Sequence, residues 1–157
     1  VPDLEFAIYT HTVATNTAGG STVATTWTTR PINTLQSSNG SFTAPSSNQI
    51  TLETGKYLIQ TAAVLYAQAI GDVARHRLFN VTDSAIVGEP SHPVRHATAA
   101  EGNVHVLCNY VEITSGTKNY AVQYYVNTAR ATNGLGFAAN VAGVSETYLT
   151  MLIIRIG

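Results

Sequence analysis

Apolar positions in this chain recur in short runs, mostly with a period of two, and the runs are broken by Gly, Asn, Asp and Ser. That period is the mark of strands with alternating faces rather than of helices. It predicts strands over 4–13, 22–29, 50–53, 57–66, 73–81, 85–87, 104–114, 118–127 and 147–156. Thr54-Gly55 and Gly71-Asp72 punctuate the chain between runs, Asn39-Gly40 is a turn signal, and Ser115-Gly116-Thr117 is a short connection of the hairpin kind. The Ala-rich stretch 61–70 carries no sustained helical stripe and reads as strand passing into loop. Long connections are expected over 88–103 and 128–145.

Two strands lack a clear solvent face. In 104–113, Val104, Val106, Cys108 and Tyr110 alternate with His105, Leu107, Asn109, Val111 and Ile113. In 147–156, Tyr148, Leu152, Ile154 and Ile156 alternate with Leu149, Met151 and Ile153. A sheet in a two-layer sandwich normally buries one face and wets the other. A second apolar face therefore needs a cover, and a further copy of the chain is the economical one. Leu107, Val111, Tyr125, Leu149, Met151 and Ile153 are the residues expected at that self-association surface.

Composition sharpens this picture. With 157 residues the chain is long enough for one well-buried domain, expected over 1–157. Only 11% of residues are charged while 45% are apolar, a surface poor in charge for a solitary molecule. The formal net charge of -1 gives no basic field for nucleic acid, and no apolar run reaches membrane-spanning length. Neither nucleic acid nor membrane insertion is expected. Cys108 is the sole cysteine, which excludes an internal disulfide and any multi-cysteine metal motif. The start at Val1 leads one to expect a piece of a longer protein.

Candidate chemistry is sparse. There is no GxSxG elbow, HExxH pair or phosphate-cradling Gly-rich loop. His92 and His96 are the nearest to a metal-ligand spacing, but Pro90 and Pro93 place them in a loop. Asp72 and Glu89 would have to meet across a cleft to act as a glycosidase pair. His76 and His105 sit among apolar strand neighbours and read as structural. Arg75 and Arg77 share one strand face and are expected to meet a carboxylate. Trp27 is expected in the core. No catalytic residue, metal or other cofactor is expected.

Three stretches, GGSTVATTWTTRPINTL at 19–35, SNQITLETGKYLIQTAA at 47–63 and RHRLFNVTDSAIVGE at 75–89, resemble the C1q/TNF-like jelly-roll domain found at the C-terminal tip of bacteriophage tail fibres. Gly55 and Tyr57 match the Gly-x-Tyr element of the C1q family, and Ile59 stands where that family prefers Phe. The resemblance spans roughly residues 4–156. It implies an all-β jelly-roll sandwich of about ten strands, a homotrimer, and a non-enzymatic, virion-borne module that attaches to a bacterial surface polysaccharide or outer-membrane protein. Under that reading the ligand meets loop residues with planar polar groups, His92, Arg95, His96, Arg130 and Asn133. Other roles compatible with the same resemblance are a trimerisation cap or head-decoration domain without ligand, a polysaccharide-degrading tip, and a secreted C1q-like lectin or ligand.

Overall fold

The computed structural model describes residues 4–99 and 101–157, so the expected start at Val1 lies outside the described residues, as does Ala100 in the 88–103 connection. Eleven strands follow in chain order: β1 (Glu5–Val13), β2 (Thr28–Thr29), β3 (Thr34–Asn39), β4 (Ile50–Leu52), β5 (Gly55–Tyr66), β6 (Val73–Asn80), β7 (Ala85–Val87), β8 (Val94–Arg95), β9 (Gly102–Ile113), β10 (Lys118–Val126) and β11 (Glu146–Arg155). Among the described residues there is no helix.

The strands form two packed sheets. One has the order β3-β1-β11-β5-β9; the other runs β2-β10-β6-β7, with β4 also on β10 and β8 also on β6. Every strand pairing is antiparallel. The chain passes repeatedly from one sheet to the other, as in a jelly roll. Three short connections do this directly. Residues 30–33 link β2 of one sheet to β3 of the other, Glu53-Thr54 links β4 to β5, and residues 114–117 link β9 to β10. The expected hairpin at 115–117 is therefore an arch between sheets. A short Gly-containing turn serves either geometry, and the choice is made by which sheet buries each strand's apolar residues.

The longer strands fall where the period of two places them. In β5, Tyr57, Ile59, Thr61, Ala63 and Leu65 point into the sandwich while Leu58, Gln60, Ala62, Val64 and Tyr66 point out. Inward residues of β1, β4, β5, β6, β9, β10 and β11 make the main core around Tyr9, Ile50, Ile59, Leu78, Val122, Leu149 and Met151. A smaller cluster of Leu65, Ala74, Tyr124, Val126 and Leu135 fills one end. Expectation and structure part in 22–29, where only Thr28 and Thr29 join a ladder beyond a single bridge from Ala24. The preceding segment is tied instead to the 128–145 connection through Gly20 N to Thr132 O and Thr22 N to Arg130 O. Thr-rich sequence favours strand, but these contacts take the backbone donors first.

At the junction of the two core clusters lies Arg30, whose side chain is fully buried. Its guanidinium donates to three backbone carbonyls: Val64 at 2.6 Å, Leu135 at 2.7 Å and Tyr148 at 2.9 Å. Those carbonyls belong to β5, the 128–145 connection and β11, so one side chain on the second sheet fastens three segments. No carboxylate pairs with it among the described residues. Burial lowers the Arg30 pKa to about 9, and Tyr124 partly counters this. His76 lies 3.4 Å from the guanidinium and stacks edge-on against His105 at 5.0 Å between centroids. Ser91 Oγ accepts the His76 backbone N–H and lies 3.2 Å from His105 Nδ1, so both histidines are held structurally at that point.

Three histidines near this charge are kept neutral. Burial, then Arg30, lowers His11 to about 4; burial, then the charges of His96 and Arg30, lowers His105 to about 4; burial, then Arg30 and His105, holds His76 well below 6.5. Because the folded chain resists protons that the unfolded chain accepts near pH 6.5, stability is full above that pH and falls as pH drops towards 4. Thermal melts from pH 7.5 to 4.5 should show Tm falling by about 5–10 °C, and His105→Leu should flatten that slope. Arg30→Met, which strands three buried carbonyls, should cost about 3 kcal/mol or more in chemical denaturation at neutral pH.

Candidate functional site

Over β5, β9 and β11 the outer face of the five-stranded sheet is largely apolar and uncovered. Its centre is built from strict alternation in β5 and β9, whose register sets Leu58 beside Tyr110, Gln60 beside Cys108, Ala62 beside Val106 and Val64 beside Val104. On the other side of β5, Leu152 and Ile154 of β11 lie opposite Gln60 and Leu58. Val104 is 64% exposed, and Leu58, Val106 and Tyr110 are each about half exposed. Two shallow grooves run along this face. One, of about 440 Å³, is walled by Leu58, Cys108, Tyr110, Leu152 and Ile154. The second, of about 200 Å³, lies between Ala62, Val64, Val104 and Thr150. Polar groups gather at the margin, where Lys56 and Glu112 approach to 3.8 Å and Arg155 pairs with Glu5 at 2.9 Å. A face of this composition is the kind that soluble proteins cover.

The two faces of these strands are exchanged relative to the sequence-based expectation. Leu107, Val111, Leu149, Met151 and Ile153, expected at a self-association surface, are all buried inside the chain's own sandwich. Tyr125 is half-buried on the outer face of the other sheet, beside Trp27. The polar members of the β9 inner face explain the reversal. His105 Nδ1 lies 3.2 Å from Ser91 Oγ and Asn109 Nδ2 donates to the Val87 carbonyl at 2.9 Å, so each has one partner inside, although His105 Nε2 and Asn109 Oδ1 have none among the described residues. That leaves Val104, Val106, Cys108 and Tyr110 outside. Leu58, absent from the expected set, follows from the same period of two in β5.

Of the five loop residues expected to meet a ligand, Arg130 and Asn133 are the one pair whose side chains touch. His92 and Arg95 are exposed, and Arg95 lies in β8 opposite Val73. His96 is buried, with Nδ1 accepting from Asn103 at 2.9 Å and its backbone N–H bonded to the Asp72 carbonyl. Arg130 and Asn133 do meet, at 2.7 Å, but as a clamp: Arg130 also donates to the Ala67 carbonyl and lies over the Phe137 ring at 5.0 Å. Arg130 is therefore committed to holding the 128–145 connection against the end of β5.

Asp72 is likewise occupied. Burial raises its pKa, but the Thr128 hydroxyl and the Ala69 and Gln68 amides outweigh that and leave it below its usual value. Glu89 is exposed in the 88–93 segment. Among the described residues no group of three or more His, Cys, Asp or Glu stands ready to hold a metal ion, and no helix is long and apolar enough to cross a membrane.

The outer face of the second sheet differs in chemistry. Trp27 is half-buried there rather than in the core, with Tyr125 at 5.6 Å and the Arg77 guanidinium 4.3 Å above its ring. Arg77 also lies 4.9 Å from the Phe79 ring, and its Nε donates to Gln123 at 2.8 Å. Arg75 Nε donates to the Ser91 carbonyl at 2.9 Å. The carboxylate partner expected for Arg75 and Arg77 is missing among the described residues, whose three ion pairs involve other cations.

No protein-family model matches the chain, and no curated protein sequence matches it. Solved structures do. The crystal structure of murine APRIL at pH 5.0 superposes with a TM-score of 0.59 at 8% identity, covering 98% of this chain and 100% of that one. Murine APRIL at pH 8.5 gives 0.59 at 10% identity, and at pH 8.0 gives 0.57 at 8%, with the same coverage. At such identities the likeness is one of fold alone. The chain is thus an all-β sandwich with the TNF-like jelly-roll fold.

Proposed function

We propose that this chain is a non-enzymatic adhesion module of a bacteriophage tail fibre, assembled as a homotrimer and attaching to a bacterial surface polysaccharide or protein. The observation that carries the reading is the uncovered apolar face of β5, β9 and β11. An exposed surface of Leu, Val, Tyr and Ile on a chain with so little charge is best covered by copies of itself. The threefold number and the virion setting rest on the resemblance of residues 19–35, 47–63 and 75–89 to fibre-tip domains. Self-association through this face leaves the second sheet pointing outward, where it is presented in three copies. Multivalent display raises avidity for a repetitive cell surface without demanding a deep pocket.

Light scattering after size exclusion at low micromolar concentration should give three times the 16.7 kDa chain mass, about 50 kDa, while Val106→Lys should give single chains. Cys108, exposed on the isolated chain, reports on the same face: its reaction with a thiol reagent should be slow in the parent protein and fast in Val106→Lys. A 16.7 kDa parent with a rapidly reacting thiol would overturn the assembly. Fluorescently labelled trimer should then decorate some members of a panel of bacterial strains. A correctly assembled trimer that binds none of them and liberates no reducing ends from their polysaccharides would instead be a structural cap.

A further inference from the structure

We propose that the outer face of the β2-β10-β6 sheet is a binding platform for an acidic, carboxylate-bearing polysaccharide. The inference rests on the surface-attachment reading above and moves the contact site from the loops to a sheet face. Alternation in β6 turns Ala74, His76 and Leu78 inward and Arg75, Arg77 and Phe79 outward. Across the ladder, Tyr125 stands opposite Arg75 and Gln123 opposite Arg77, and Trp27 lies just before β2 on the same face. Arg95 extends the row, since its partner in the ladder, Val73, is the next outward residue of β6.

The guanidinium groups are prepared for a ligand. Arg75 and Arg77 each make their one side-chain hydrogen bond through Nε, to Ser91 O and Gln123 Oε1. The paired terminal nitrogens, the fork that matches a carboxylate in bidentate geometry, are left without a partner among the described residues. Packing restrains the Arg77 guanidinium, whose Cζ lies 4.3 Å from the Trp27 ring and 4.9 Å from the Phe79 ring. A side chain ordered before binding loses less entropy on binding.

Charge separates this face from the rest of the molecule. The chain carries a formal net charge of -1, yet Arg75, Arg77 and Arg95 lie along one sheet face and take part in no ion pair among the described residues. The aromatic rings supply the other half of sugar recognition, an apolar surface for ring C–H groups with a tyrosine hydroxyl at its edge. A neutral glycan would use the rings and waste the cations. A nucleic acid would also use both, but the surface-attachment reading favours a sugar chain, and the oligonucleotide comparator below tests the alternative. A carboxylated sugar chain, with one acid per residue or fewer and an apolar sugar face, fits both features.

The experiment is calorimetric titration of the assembled protein with oligomers of polygalacturonate, with neutral dextran oligomers and a single-stranded oligonucleotide of equal charge as comparators. Polygalacturonate should bind, more weakly as salt rises, and dextran should not. Arg77→Gln and Trp27→Ala should each weaken binding by about tenfold or more, with the mass of the assembled protein unchanged. Arg77→Lys, which keeps the charge but not the fork, should fall between. Equal binding by parent and Arg77→Gln, or equal binding of the oligonucleotide, would overturn the platform. So would an assembled trimer that decorates cells but ignores polygalacturonate, an outcome that leaves the attachment reading standing. Loss of cell binding in the parent protein would remove that reading itself.

Discussion

The sandwich depends on one cation placed where cations are rarely found. Arg30 reaches across the interior and satisfies carbonyls on β5, on β11 and on the 128–145 connection, so the two sheets and their largest loop meet at a single guanidinium. A buried positive charge is normally tolerated only beside a carboxylate. Here its partners are peptide dipoles, and the imidazoles closest to it must stay neutral. The result is a fold whose integrity is tied to proton activity through three buried histidines.

The two outer faces of the sandwich are chemically opposite although the strands beneath them are built alike. On β5, β9 and β11 the outward positions are mostly Leu, Val, Ala, Ile and Tyr, with Gln60, Cys108 and Thr150 among them; on β6 and β10 they include Arg75, Arg77, Gln123, Phe79 and Tyr125. Period-two patterning places both sets with equal precision. One face is suited to burial against a like surface, and the other to a hydrated partner. A jelly roll can serve assembly and recognition at once because its two sheets carry these tasks separately.

Much of this was legible in the sequence. The runs that became β1, β5, β6, β9, β10 and β11 are long and regular, and the turn residues between them lie where the chain reverses. β3 was not visible, since TLQSSN is polar and mostly exposed; it exists because β1 offers it an edge. β8 is two residues held by Val73 and Ala74. The apolar character of both faces of β9 could be read, but which face turns inward could not. That choice is decided by whether His105 and Asn109 find partners, and Ser91 and Val87 come from a distant segment. Polar residues in loops are common binding groups, and that general tendency is what points to His92, Arg95, His96, Arg130 and Asn133. Arg130 and His96 turned out to be spent on holding loops in place, whereas Arg75, Arg77 and Trp27 stand on a strand face, where sequence alone cannot separate an internal partner from an absent one.

The position of β11 has a consequence for the order of events during synthesis. It is the last strand of the chain, yet it lies between β1 and β5 in the middle of its sheet. Until it is made, the strands that emerge first have an unfilled gap at their centre, and β5 and β9 can form only a two-stranded fragment with one long unpaired edge. The jelly roll thus closes late and all at once, through contacts between residues far apart in the chain. Before that closure the unpaired edge of β5 stands open to a strand of any neighbouring chain, and the outer apolar face, which needs β11 beside β5 and β9, takes its final form only when β11 has filled the gap.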